Sequence, residues 1–291
     1  MKKTMLAKGA FALVFALFFI GTATQAQIKM PAASPAASIK QAIGLAEVSV
    51  DYSRPGTKGR KIFGDLVPYG KLWRTGANAS TKITFNEEVT IEGNKVPAGQ
   101  YALYTIPAEK EWTVVLHKNT KHWGDGGKDF NQSEDLVRFK VNAKKLDDKV
   151  ETFTIAFSDL TNNSGTLQIM WENTLVPITI TSDVDSRVMA QITEKVINGT
   201  NVTPALYAAA ANYYADNGKD MKQALTWIKK ANEQDPKFWT LHQQAKMQAK
   251  AKDYKGAAAT AQKSIELAKK ENNADYVALN EKLLAEIKGK K

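Results

Sequence analysis

Near residue 182 the spacing of the apolar residues changes, and that change limits what the chain can fold into more than any other feature. Before it the spacing is two. Val48, Val50 and Tyr52 alternate with Ser49 and Asp51, and Phe153, Ile155 and Phe157 alternate with Thr152, Thr154 and Ala156. Leu167, Ile169 and Trp171 repeat the pattern, as do Val176, Ile178 and Ile180. Alternation sends one face of a strand into a core and the other toward water. Turn signals at Gly93-Asn94, Pro97-Ala98-Gly99, Pro107 and Asn162 to Gly165 separate the runs. About ten short strands without intervening helices predict an antiparallel β-sandwich or jelly roll over residues 38–182. Tyr101 to Ile106 is apolar on both sides, which places that strand centrally.

After Asp183 the spacing is helical. Leu206, Ala210 and Tyr214 share a face, as do Leu225, Ile228 and Ala231, then Ala257, Ala261, Ile265 and Ala268, and finally Tyr276, Leu279, Leu283 and Ile287. Thr203 before Pro204 is a helix start, and Gly218 and Asp235-Pro236 mark ends or restarts. The pattern predicts about six helices in a separate all-α unit over residues 183–291. Asp220-Met221-Lys222-Gln223-Ala224 realigns 33 residues later with Asp253-Tyr254-Lys255-Gly256-Ala257. That period, over residues 203 to about 270, resembles tetratricopeptide repeats in degenerate form. The resemblance implies a helical surface offered to a protein partner.

The start of the chain reads as an address. Lys2, Lys3 and Lys8 precede an uncharged apolar run from Ala10 to Ile20, followed by Thr24 and Ala26 at the positions a signal peptidase recognises. Residues 1–26 therefore read as a secretory signal, and the run is shorter than the ~20 apolar residues of a membrane span. The expected location is exported, either periplasmic or secreted, with no membrane span once the signal is removed. Residues 27–37, rich in Ala, Ser and Pro, read as a flexible lead.

Losing three signal lysines and no acid lowers the net charge from +10 to +7. The remaining basic residues are interleaved with acids rather than gathered into a stripe, which argues against nucleic acid as a partner. There is no cysteine, which excludes disulfides, thiol catalysis, cysteine-ligated zinc and iron–sulfur clusters. No P-loop, dinucleotide glycine fingerprint or Gly-x-Ser-x-Gly elbow is present, and no cofactor is expected.

One segment is irregular and dense. From Tyr52 to Thr84 the chain is rich in Gly, Pro, Arg and aromatic residues with little clean periodicity. Long ordered loops in a compact domain are uncommon and often functional. Arg54, Arg60, Trp73, Arg74 and Asn78 form a candidate ligand-binding set: hydrogen-bond donors beside an aromatic plane, suited to carboxylates, phosphates or sugar hydroxyls. Trp123, carried by a second loop, joins it. The opposing reading is structural, with arginines bonding backbone carbonyls and Trp73 and Trp123 anchoring their loops. This segment, together with VPAGQYALYTIP at 96–107, WTVVLHKNTKHWG at 112–124 and WENT at 171–174, closely resembles the exported bacterial family called domain of unknown function 2911. The resemblance spans roughly residues 36–182. It implies a β-rich exported domain of unassigned activity and supplies no catalytic residue.

His117, His122 and Asp125, with Asp129 close behind, are the candidates for a metal site. Alternation from Trp112, Val114 and Leu116 puts His117 on the opposite strand face, while His122 falls in a Gly- and Asp-rich loop, so nothing in the sequence forces the two rings together. Trp112 and Trp171 fit the core pattern. Two functions follow as expectations. The first is a non-enzymatic module binding an envelope glycan, small molecule or peptide, with a helical tail for a protein partner. The second is a hydrolase of an envelope polymer, metal-assisted through His117 and His122.

Overall fold

The computed structural model describes residues 30–290. The signal segment expected at 1–26 and the first residues of the lead lie outside them. Ten strands come first: β1 (Ala36–Ile43), β2 (Ala46–Ser53), β3 (Thr81–Phe85), β4 (Val89–Ile91), β5 (Asn94–Val96), β6 (Gly99–Ile106), β7 (Glu111–His117), β8 (Asp135–Asn142), β9 (Lys144–Ser158) and β10 (Ser164–Thr181). They form two antiparallel sheets, in the orders β1-β2-β3-β6-β7-β8 and β5-β4-β10-β9. β1 begins at Ala36, paired with Ser53, so the last two residues of the expected lead belong to the sheet. The alternating residues of β2, β9 and β10 point inward as their period requires, and Val48, Val50, Phe153, Ile155, Leu167, Ile169, Val176, Ile178 and Ile180 are all buried in one core shared by both sheets. β6 sits inside the larger sheet and is buried on both faces.

Residues 54–80, between β2 and β3, contain no strand. They close one end of the sandwich through isolated backbone bridges, Gly56 to Thr152 on β9 and Trp73 to Thr105 on β6. The loop thus pairs with both sheets. A buried loop must satisfy its peptide groups, and Trp73 does so in both directions: its N–H donates to the Thr105 carbonyl at 2.7 Å, and its carbonyl accepts from the Thr105 N–H at 2.9 Å. The Trp73 indole then enters the core. It stacks on Trp171 at 5.9 Å with the planes 15° apart, and meets Phe63, Trp112 and Phe153 edge-on at 5.3–6.3 Å. These offset and edge-to-face arrangements suit aromatic quadrupoles. The indole N–H donates to the Gly76 carbonyl at 3.1 Å. Gly76 itself has φ +149°, and a Cβ there would lie 3.1 Å from the Ser53 carbonyl oxygen, so the turn that receives the indole requires glycine.

The helices follow: α1 (Val184–Ile192, extended by a wider turn over Thr193–Ile197), α2 (Pro204–Asp216), α3 (Met221–Gln234), α4 (Phe238–Lys250), α5 (Tyr254–Lys270) and α6 (Ala274–Ile287). Thr203 caps α2 with Pro204 at its first position. The 33-residue repeat has a physical basis: Asp220 and Asp253 cap α3 and α5, and Ala224 and Ala257 are each buried where the helices cross. The helical cores, one around Ala211, Trp227 and Ile228 and one around Ala245, Ala257 and Ala261, share no residue with the β core. Arg187 of α1 reaches back to the β region, pairing with Glu87 and donating to the Glu88 carbonyl at 3.2 Å.

Burial separates the two loop tryptophans. Trp73 is 7% exposed and Trp123 is 76% exposed. Trp73→Ala is expected to cost about 3–5 kcal/mol, as for large aromatic deletions in packed cores, while Trp123→Ala stays within about 0.5 kcal/mol of the parent. Urea unfolding followed by circular dichroism measures both. Equal losses would show that the Trp73 indole does not hold the sandwich end closed.

Candidate functional site

The side chains of the 54–80 segment divide by what they touch. Arg54 donates from Nε to the Phe153 carbonyl at 3.0 Å and from Nη2 to Thr154 Oγ1 at 2.8 Å, tying the loop to β9. Arg60 folds onto its own turn, donating to the Thr57 and Gly56 carbonyls at 2.9 and 2.8 Å. Thr57 and the Lys58 N–H both donate to the Glu151 carboxylate. Those two bonds, the Thr57 hydroxyl first, hold the Glu151 carboxyl below its ordinary value of 4.5. Asn78, at φ +62°, donates to Ser53 Oγ at 3.2 Å, and its carbonyl accepts from the Gly124 N–H at 3.1 Å. Asn78 therefore docks the 118–134 loop against the 54–80 loop, helped by the bridge between Ala79 and Trp123. Arg74 differs from the other two arginines. It is half-buried, and its Nε is buried with no hydrogen-bond partner among the described residues.

These placements leave an open cleft of about 620 Å³ on the loop's outer side. Lys58, Arg60, Lys71 and Arg74 line it, with Asp125 as the one acid and Leu66, Val67, Pro68 and Leu72 as apolar wall. Trp73 and Trp171, both buried, also line it. Cations gathered on low-dielectric walls raise the local potential and draw anions. Of the predicted set, Arg60, Trp73 and Arg74 come together here. Arg54 and Asn78 serve the loop's attachment instead, and Trp73, stacked on Trp171 and 7% exposed, offers little ring surface. Trp123 lies beside the cleft without lining it.

The histidines form a second, closed cluster on the outer face of the larger sheet. The 118–134 loop, which includes short helical turns at Gly127–Asp129 and Gln132–Glu134, folds back over β6 and β7. The side chain of His117 is fully buried, stacked at 4.6 Å on Phe130 and at 5.3 Å on His122. Nothing in the sequence forces the two rings together; the loop's return over the strand face brings them into contact. His117 Nδ1 hydrogen-bonds Asp135 Oδ1 at 2.9 Å, and Asp135 is also paired with Arg138. His117 Nε2 lies 3.5 Å from Glu134 Oε2. His122 Nδ1 and the Tyr104 hydroxyl share a hydrogen bond of 3.2 Å, and burial pushes the Tyr104 phenol above its ordinary value of 10.0. Among the described residues no three His, Asp or Glu side chains converge as a metal-ligand set. Asp125 lines the cleft, its Oδ1 accepting from the Gly127 N–H at 3.0 Å, and its charge also helps raise the Tyr104 phenol.

The profile of a protein family described as of unknown function, DUF2911, matches residues 34–180, half of the chain. The chain belongs to that family. No curated protein and no solved structure matches it. The DUF2911 match takes in the β region to one residue short of the end of β10, with the histidine cluster and every lining residue of the cleft except Ala33.

Sequence reasoning missed Lys58 and Lys71, because a lysine in a loop is ordinarily solvated and carries no positional signal. It also missed Tyr104, hidden in a strand apolar on both sides, and Asp135, which meets His117 only through the β7–β8 register and its bulge.

Two outcomes test this division of labour. Removing Arg54 strands the Phe153 carbonyl and should cost about 1–3 kcal/mol; Arg60→Ala should lose less, and Arg74→Ala should leave the urea midpoint unchanged. A clear loss in Arg74→Ala would assign it to the loop's framework. For Glu151 the folded carboxyl is more acidic than the unfolded one, so its stabilisation is present above pH 4.5 and is lost as the pH falls through the lower folded value. The stability gap between the parent and Glu151→Gln should be open at neutral pH and close on acidification. A gap that persists in acid would contradict the assignment.

Proposed function

We propose that the β domain is a non-enzymatic binding module whose site is the cleft beside residues 54–80, taking a glycan, small molecule or peptide. The observation that carries this reading is the cleft itself: about 620 Å³, apolar at its wall, with a few polar side chains at defined positions. Small-ligand sites have that size and make-up, at roughly 300–1,000 Å³. The backbone bridges of Gly56 and Trp73 and the Glu151 bonds support a site formed before the ligand arrives, which lowers the ordering cost of binding. We place the protein outside the cytoplasm, periplasmic or secreted, on its N-terminal segment. The helical region, with Trp239 and Leu279 partly exposed, serves as a contact surface for a protein partner.

The alternative, a hydrolase using His117 or His122 as base or metal ligand, is favoured by one observation, the His117–Asp135 pair with Nε2 left over. Both Nε2 atoms are buried, however, and a substrate has no surface through which to meet them. Thermal-shift screening of the full chain against glycan, small-molecule and peptide libraries tests the two readings. Binding should raise the melting temperature of the parent and not of Ala77→Trp, which fills the cleft. A shift that survives in Ala77→Trp but is lost in His122→Ala, with turnover of a polymer, would favour the hydrolase.

A further inference from the structure

Three features of the cleft bear on what it holds. The first is charge. Four cationic side chains and one acid line the cleft, and among the described residues none of Lys58, Lys71 and Arg74 has a carboxylate partner within 4.0 Å. Some cations elsewhere do find acids, as Lys40 does with Glu47 and Lys140 with Glu111, and many do not; what sets the cleft apart is four of them gathered around one cavity. The second is the state of Arg74. Arg54 and Arg60 in the same loop use their guanidinium groups on carbonyls. Arg74 does not: its Nε is enclosed by protein, but the residue is only half-buried and its Nη nitrogens make no hydrogen bond among the described residues, so they are the atoms open to a ligand. A guanidinium is the side chain best shaped to take an oxyanion with two parallel bonds. The third is Asp125. It is the one carboxylate among these cations in the described residues, and one of its oxygens is free of the bond to Gly127.

We propose that the ligand is a hydroxylated carboxylate, of the kind found in acidic sugars, gripped through its carboxylate by Arg74. A hydroxyl near the carboxylate donates to Asp125, and the apolar ring face lies on Leu66 and Pro68. Lys58 and Lys71 add attraction at longer range, which salt screens. A bare anion satisfies Arg74 but brings no donor to Asp125 and no apolar face to the wall. This inference rests on the cleft being a binding site and adds the class of ligand.

The experiment is isothermal titration of the full chain with tetragalacturonate, with its fully methyl-esterified form and with inorganic phosphate, each at low and at raised salt. Esterification keeps the shape and removes the charge. Tetragalacturonate should bind, and more weakly as salt rises; the ester and phosphate should each bind at least about tenfold more weakly, the factor expected for loss of a charged hydrogen bond. Arg74→Gln should lower affinity by about tenfold to a hundredfold at an unchanged melting temperature, and Arg74→Lys should recover only part of it. Equal binding of acid and ester, phosphate binding as tightly as the sugar acid, no binding of the acid at all, or an Arg74→Gln variant that binds normally each overturns the ligand class. Failure of the site itself reads differently: tetragalacturonate then binds Ala77→Trp as well as the parent.

Discussion

The stacking of Trp73 on Trp171 is the contact on which the rest of the β domain depends. A sandwich of two sheets has open ends, and this one is closed by a segment with no regular structure of its own. Such a segment pays the conformational entropy of ordering without a strand's repeating bonds. Here the cost is offset by burying Ile62, Phe63, Val67 and Trp73 and by bridging the loop to one strand of each sheet. The indole meets rings from β7, β9 and β10 at once, so the loop cannot shift without disturbing both sheets.

From that anchor the loop's two sides take different work. The inner side is core. The outer side is a wall of the cleft, and its cations are held apart by the turns that the anchor fixes. The arginines make the contrast plain, since two of three are consumed in keeping the backbone in place and only Arg74 is left over. The 118–134 loop joins through Gly124 and Asn78 and brings Asp125 to the cleft. Its own support lies on the far side, where Phe130 and His122 pack on His117 and Tyr104. The histidine cluster is best understood as the polar underside of that loop.

Local pattern carried the architecture into view. Strands such as β2 and β10 announce themselves because a half-buried strand must alternate, and α3 and α5 because an Asp cap and a buried Ala recur together. The irregular segment was visible as unusual, and Trp112 and Trp171 as core. What local pattern cannot carry is pairing across long separations. Gly56 meets Thr152 and Trp73 meets Thr105 through tertiary register alone, so nothing near Trp73 in the sequence tells that its face is spent inside. The same holds for His117, whose strand face was read correctly from alternation but whose cover, a loop returning over the sheet, was not. The lead was read from composition as mobile up to residue 37, yet a sheet edge was available for Ala36 and Ala37 to pair with.

The central claim is that an irregular segment, locked by core aromatics, presents a cleft that exists before any ligand binds. Amide hydrogen exchange of the free full-length chain tests it most directly. The amides of Thr57, Gly64, Val67, Gly70 and Trp73 all donate to backbone carbonyls, so the account predicts that peptides covering residues 54–80 exchange as slowly as those of β6 and β7. Exchange at the rate of an exposed loop, with protection appearing only when ligand is added, would contradict it.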